Sequence, residues 1–432
     1  MSSDAAQQFR IEVAKLTDPG MLRANNQDAI TVVSGPSGGS RGDVLLVADG
    51  MGGHAAGELA SQMATQSIPH AYHKQADLPP PAALRKAIRK ANAAIYAKGQ
   101  SSPDLEGMGT TCSCLVMLRE AALIAHVGDS RVYRLRAGKL EQLTFDHSLV
   151  WEIAAASHTT LDKVPAGIPR NYITRSLGPQ EQVNIDVEGP YPLAAGDVFL
   201  ICSDGLGAVV PDNVAGAIIG AMPPQQAAQT LIDLANLRGG PDNISVIVAR
   251  VDDRDPADES AKPSDDPHGL SRVSPSTWLA LAGSLAAVIW FASKQDYEWA
   301  LAAAVGLAVG AVVAWLQRGP VESTEDEVVH VLGGPYGDGP YRNYDCLPGR
   351  PAVDAIAAVV DELAALQNET PPHPAPPIED WDEFTRWRQH AIKATASDEL
   401  DEAVRGFAAA IASLMRQVRS DETAKFPSAG KR

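Results

Sequence analysis

Residues 47–61 read VADGMGGHAAGELAS. The apolar run 44–48 suits a buried strand. The Asp49-Gly50 pair predicts its end, as a turn signal, and helical spacing resumes at about Gly57. Between them, Gly50, Gly52 and Gly53 leave the backbone bare, free to take positive φ or to approach something closely. A carboxylate at a strand tip beside exposed carbonyls makes a good ligand set for a hard cation. An ordinary strand–turn–helix joint has much the same sequence, so the meaning of this stretch depends on the rest of the chain.

The pattern recurs. Asp129 lies in HVGDSR (126–131), after the strand-like run 122–127. Asp204 lies in LICSDGL (200–206), again an apolar run, then an acid, then glycine. Asp242 lies in GGPDN (239–243), just before the run 244–251. Near the start, TDPGMLRANNQD (17–28) supplies Arg23 and Asp28. Any one of these is readable as a turn, but the recurrence is better explained if the strand ends converge on one acidic pocket. Crowded carboxylates repel unless cations neutralise them, and an all-oxygen set suits Mg²⁺ or Mn²⁺ better than zinc. A pair of such ions lowers the pKa of a bridging water, and an arginine such as Arg23 grips phosphate oxygens bidentately. Together these parts describe a metal-dependent phosphoester hydrolase.

Bulk composition narrows the alternatives. A chain of 432 residues with a hydrophobic fraction of 45% has room for more than one domain. A net charge of −17 argues against a nucleic-acid binder, which needs a basic surface. The four cysteines, Cys112, Cys114, Cys202 and Cys346, show no zinc-finger spacing and imply a reducing compartment. The first ten residues, MSSDAAQQFR, lack the apolar core of a secretory signal. No GxxxxGK[ST] loop supports nucleotide hydrolysis, and no Cys-x5-Arg stretch supports a cysteinyl-phosphate route.

Residues 9–251 form one large mixed domain on this reading. Strands are predicted at 11–16, 44–48, 112–118, 122–127, 131–135, 198–202 and 244–251, and helices at 57–73, 82–98, 212–222 and 225–237. Strand follows strand in the middle without helices between them, so the sheets are expected to be antiparallel. Residues 252–275 are rich in Asp, Pro and Ser and read as a linker. Two uncharged runs follow, 276–293 and 299–316, each long enough to cross a bilayer as a helix and bearing tryptophans near its ends. They predict a transmembrane helical hairpin whose short loop keeps both flanks on one side. Residues 320–432 read as a mainly helical C-terminal region of unknown role, with Trp387, Ala391, Ala403, Phe407 and Ala410 spaced as in an amphipathic helical pair.

At these residues the chain resembles a known family. TDPGMLRANNQDA, LLVADGMGGHAAGELAS, GMGTTCSCLVM, AHVGDSRVYRL, LTFDHSLV, NYITRSLG, LICSDGL and GGPDNISVIVARV are similar, in order, to the motifs of the bacterial metal-dependent protein phosphatases, the PPM or type 2C family. The resemblance covers about residues 9–251. It implies an α+β fold, a four-layer α-β-β-α sandwich of two antiparallel sheets flanked by helices. It also implies hydrolysis of phosphoserine and phosphothreonine in proteins by a metal-bridging hydroxide, opposing serine/threonine protein kinases. Two Mn²⁺ or Mg²⁺ ions are expected, with a third weaker one in bacterial members. By motif, Asp49 would bridge two ions and Gly50 would bind one through its carbonyl. Asp204 and Asp242 would complete the shell of the first ion, Asp28 would act at the second ion, and Asp129 would serve the third. Arg23 would bind the substrate phosphate, Asn243 would orient Asp242, and residues 148–178 would form a flap over the site. Met51 stands where animal members have a proposed general-acid histidine; His54, three residues on, is as readily structural, and leaving-group protonation then falls to water. The expected location is the inner membrane, with the catalytic and C-terminal regions in the cytoplasm. The competing reading is a non-catalytic phosphatase-fold sensor or scaffold, anchored in the membrane; the presence of Asp49, Asp204, Asp242 and Arg23 together weighs against it.

Overall fold

The computed structural model of the chain describes residues 9–36, 41–53, 55–169, 171–253, 337–346, 349–365, 367, 378 and 380–425. Two antiparallel sheets form its centre. One has the order β1 (Arg10–Asp18), β11 (Ile244–Asp252), β10 (Val198–Cys202), β7 (Arg131–Arg136), β8 (Lys139–Gln142), β12 (Arg342–Asp345). The other runs β2 (Asp28–Val33), β3 (Asp43–Met51), β5 (Cys112–Met117), β6 (Ala121–Val127), β9 (Asp186–Pro192), with the two-residue β4 (Gly109–Thr110) paired to the end of β3.

The apolar runs are continuous because both faces of each sheet are covered. Along β3, Leu45 and Val47 enter the layer between the sheets with Leu115, Ile124, Phe199 and Ile247. Val44, Leu46 and Ala48 alternate to the other face, where α1 (Ala56–His73) and α2 (Pro80–Gly99) cover them. On the first sheet, Tyr133, Leu200, Val246 and Val248 pack outward against α5 (Asp212–Ala221) and α6 (Pro224–Leu237). This is the α-β-β-α sandwich that the sequence predicts.

The differences from the sequence reading have local causes. β3 does not stop at Asp49-Gly50: Asp49 stands opposite Asp28 in register, and Gly50 and Met51 pair with Thr110 and Gly109. A turn signal is overridden there because two neighbouring strands supply partners for the backbone. Strands β2, β8 and β9 carry weak signals. β8 is the polar tetrapeptide KLEQ, and β9 contains glycine and two prolines, which depress strand character.

The C-terminal residues extend the first sheet and its helical face. β12 pairs with β8 from Arg342–Gln142 to Asp345–Lys139. Helix α7 (Arg350–Ala365) packs on α5, and α9 (Leu400–Lys425) packs on α6 and forms a hairpin with α8 (Asp382–Ala396). Ile356, Val360, Phe384, Ala391, Phe407 and Leu414 join one core with Leu231 and Ile218. Ala391, Ala403, Phe407 and Ala410 are buried as their spacing predicts, whereas Trp387 is exposed. Gly216 makes the contact close: a Cβ there would stand 2.4 Å from Cys346 Sγ. Arg419 of α9 pairs with Asp233 of α6 at 2.7 Å.

The predicted spans 276–293 and 299–316, and the linker from residue 254 onward, lie outside the described residues. Among the described residues no helix is long and apolar enough to cross a membrane. All four cysteines are buried free thiols.

Candidate active site

Five separate chain segments bring their acids to one end of the sandwich. Asp28 opens β2, Asp49 lies near the end of β3, Asp129 occupies the β6–β7 turn, Asp204 opens the one-turn helix α4 (Asp204–Gly207), and Asp242 lies two residues before β11. Glycine permits this crowding by close approach. A Cβ on Gly50 would stand 2.2 Å from the Gly57 carbonyl oxygen and 2.5 Å from that of Gln27. The start of α1 therefore lies on the backbone beside Asp49. A Cβ on Gly205 would stand 2.1 Å from the Asn243 carbonyl oxygen, so α4 and the start of β11 touch through backbone and set Asp204 beside Asp242.

Each acid is held by its neighbours. Thr111 Oγ1 accepts the Asp49 N–H at 2.9 Å, while the Thr111 N–H at 2.8 Å and the Thr110 hydroxyl at 2.9 Å donate to the Asp49 carbonyl. Ser203 Oγ donates to Asp28 Oδ2 at 2.8 Å. Asn243 organises the loop between β1 and β2: its amide donates to the carbonyls of Pro19 and Asn25, and its Oδ1 accepts the Gln27 N–H at 2.8 Å. Its own N–H donates to Asp242 Oδ1 at 2.8 Å. The predicted orienting role of Asn243 thus has a wider geometry, since the loop it pins carries Arg23. The Arg23 guanidinium, half exposed, pairs with Asp242 at 2.7 Å.

The electrostatics are those of unneutralised crowding. Withdrawal from solvent raises Asp49 well above the usual carboxylate range, and the charges of Asp28, Asp204, Asp129 and Asp242 add to it. Burial pushes Asp28 up to about 6 against the opposing hydrogen bonds of Ser245 and Ser203, disfavouring its charge by on the order of 3 kcal/mol. Asp129 is raised by burial, then by Asp204 and Asp146; Asp204 is raised by burial, then by Asp242. One oxygen of each of Asp28, Asp129 and Asp204 is buried without a hydrogen-bond partner. Among the described residues no three acid, imidazole or thiol groups close tightly enough to grip one ion, so the acids face one another without meeting at a point. Orphaned carboxylate oxygens in an all-oxygen set nonetheless fit hard divalent cations, whose charge would relieve the repulsion.

Residues beyond the predicted set also serve the site. His147 Nδ1 accepts the N–H of Gly128, beside Asp129, at 3.0 Å, and its Nε2 is 2.7 Å from Asp186. Arg131 binds Asp146 at 2.7 Å behind the β6–β7 turn. The motifs GMGTTCS and FDHS contained Thr110, Thr111, Asp146 and His147, but their hydroxyl-to-backbone roles have no spacing signature. His54 lies outside the described residues. The flap contains α3 (Leu149–Ala156), and its two ends are tied to the site. His147 holds one at Gly128, and the Leu177–Thr110 bridge holds the other beside Asp49.

The chain is similar to known proteins. A family model described as protein phosphatase 2C matches residues 23–216. A putative protein phosphatase 2C-type of Streptococcus pyogenes is 36% identical over 250 residues, covering 57% of this chain and 99% of that protein. The chain belongs to the protein phosphatase 2C family. Serine/threonine protein phosphatase PstP of Mycobacterium tuberculosis is 37% identical over 246 residues, covering 57% of this chain; the chain spans 46% of the length of that relative. A crystal structure of the PstP catalytic domain, in complex with 2 manganese ions, is 36% identical with a TM-score of 0.48, covering 56% of this chain and 99% of that one. The serine/threonine phosphatase Stp1 of Staphylococcus aureus superposes with a TM-score of 0.51 at 28% identity, covering 58% of this chain and 98% of that one.

Proposed function

We propose that this chain is a metal-dependent protein serine/threonine phosphatase. The observation that carries the reading is the gathering of five acids from five segments at one end of the sandwich, three with an orphaned buried oxygen, beside a half-exposed arginine. Two divalent cations, manganese or magnesium, would be held by Asp49, Gly50 through its carbonyl, Asp204, Asp242 and Asp28, with Asp129 serving a third. When bound, such ions neutralise an incoming phosphate and ready water for attack at phosphorus.

The chain's own residues do the rest. Arg23 offers a planar fork to two phosphate oxygens, on a loop fixed by Asn243 rather than free to swing. Thr110, Thr111 and Ser203 fix the backbone of Asp49 and one oxygen of Asp28, which orients the carboxylates before any cation arrives. Met51 carries no titratable proton, so no side chain in this position protonates the leaving alkoxide.

The physiological role follows from the wider chain. The substrates would be phosphoserine and phosphothreonine proteins, and the phosphatase would oppose serine/threonine protein kinases. Residues 276–316 would anchor it in the cytoplasmic membrane, with catalytic and C-terminal parts in the cytoplasm. If residues 276–316 do cross a membrane, the core shared by residues 10–253 and 337–425 requires an even number of crossings.

The test is initial-rate hydrolysis of a phosphothreonine peptide by the full chain in mild detergent, with Mn²⁺, Mg²⁺ or EDTA. Metal-dependent turnover lost in Asp49→Asn is expected. A folded chain inert with every metal would sink the reading, and recovery in the soluble fraction without detergent would sink the anchor.

A further inference from the structure

We infer that residues 337–345, the first described stretch after the apolar runs, act as a strap that positions the flap for protein substrates, with Tyr341 and Arg342 as its positioning residues. The inference rests on the phosphatase reading above for its functional meaning.

The strap touches the flap at its root. Tyr341 packs edge-on against Phe145, ring centroids 5.6 Å apart, and Phe145 packs edge-on against Trp151 of α3 at 5.1 Å. The Tyr341 hydroxyl donates to Glu188 Oε1 at 2.5 Å, and the Gly339 N–H donates to Glu188 Oε2 at 3.2 Å. Gly337 comes so close to Glu188 that a Cβ there would stand 1.8 Å from the carboxylate. Arg342 lies over the Trp151 ring at 5.8 Å and reaches Asp212 at 3.9 Å. The Tyr341 N–H donates to the Gln142 carbonyl at 2.8 Å, and β12 then continues along β8. The first residues of the strap are therefore fixed to β9 through Glu188 and the last to β8, and between them Tyr341 and Arg342 meet the aromatic base of the flap.

The flap helix packs in a small cluster of its own. Val150, Trp151, Ala154 and Val164 form this cluster, separate from the three larger cores, and Tyr341 and Arg342 of the tail pack against it. The flap's ends are anchored beside Asp129 and Asp49, but its helix rests on this satellite cluster. A cation over an aromatic ring is a weak contact, too weak to decide whether the domain folds.

A positioning role predicts a split between substrates. A phosphopeptide must lie across the flap, whereas a small aryl phosphate reaches only the acids and Arg23. In the full chain, Arg342→Ala should raise the phosphopeptide KM about three- to fivefold, the scale of one cation–π contact, and Tyr341→Ala, which loses the ring contact with Phe145 and the bond to Glu188, should raise it too. The kcat for p-nitrophenyl phosphate should stay at the wild-type value. Arg342→Lys should restore the peptide KM, and Arg388→Ala on α8 should change neither. Equal losses on both substrates, or no change on either, would overturn the inference. Wild-type chain inert on both substrates would instead refute the phosphatase reading. The strap is then judged by hydrogen exchange: faster exchange over 149–156 in Arg342→Ala supports it, and unchanged exchange rejects it.

Discussion

Thr111 holds Asp49 from two sides, its hydroxyl accepting the Asp49 N–H and its own N–H donating to the Asp49 carbonyl. The carboxylate at the centre of the site is therefore aimed by a residue that would touch neither ion nor substrate. Thr111→Val keeps the shape and removes the acceptor, leaving the buried Asp49 N–H unpaired at a cost of about 1–3 kcal/mol. The expected result is a lower melting temperature and weaker Mn²⁺ binding by calorimetry, with Thr111→Ser close to wild type. A valine variant that binds Mn²⁺ normally would show that Asp49 is aimed by something else.

Asp49→Asn and Asp204→Asn should each abolish turnover, yet stabilise the chelated protein, because each removes a charge that burial and its neighbours disfavour. Melting in EDTA checks this directly. A drop in melting temperature would mean that the carboxylates make favourable contacts in the metal-free state.

The same crowding fixes a pH dependence. The pKa values of Asp28, Asp49, Asp129 and Asp204 are raised in the fold. Folded protein thus binds more protons than unfolded, and stability falls as pH rises. For Asp28 the loss runs from 3.8 to about 6. Buried His126, lowered from 6.5 to about 3 mainly by burial, acts in the opposite sense and costs stability as pH falls below 6.5. Comparing wild type with Asp28→Asn in EDTA cancels the histidine: the variant's advantage should grow between pH 4 and about 6 and then level off. An advantage independent of pH would contradict the assignment.

Gly216→Leu tests the docking of the tail. Leucine favours the α5 helix by about 1 kcal/mol over glycine, but it would collide with Cys346. The net effect should be destabilisation, with faster hydrogen exchange over 342–345. Stabilisation would mean that the tail rearranges without loss.

The acids were legible because chemistry repeats: an apolar run, then Asp, then Gly, is visible at Asp49 and Asp204 without any structure. The glycines are only partly legible. The sequence reads Gly50 as a strand end, whereas it continues the strand and lets α1 lie on its backbone. A turn and a close approach both demand a residue without Cβ, and sequence alone does not separate them. The docking of the tail was not legible, because β12 and its partner β8 are short and polar, and the apolar faces of α7 and α9 do not announce what they cover. Asn243 was named for its neighbour Asp242, but its grip on Pro19 and Asn25 joins residues more than 200 positions apart.

The pairing of Arg342 with Gln142 has a consequence for biosynthesis. The strand that closes this side of the sheet is made 200 residues after its partner. At roughly 5–20 residues per second of synthesis, β8 waits on the order of 10–40 s with an open edge, the kind of edge that recruits strands from other chains. Its exposed Lys139 is the charge on this strand that discourages such pairing in that interval, so neutralising it should lower the yield of newly made protein more than it lowers the stability of the finished fold.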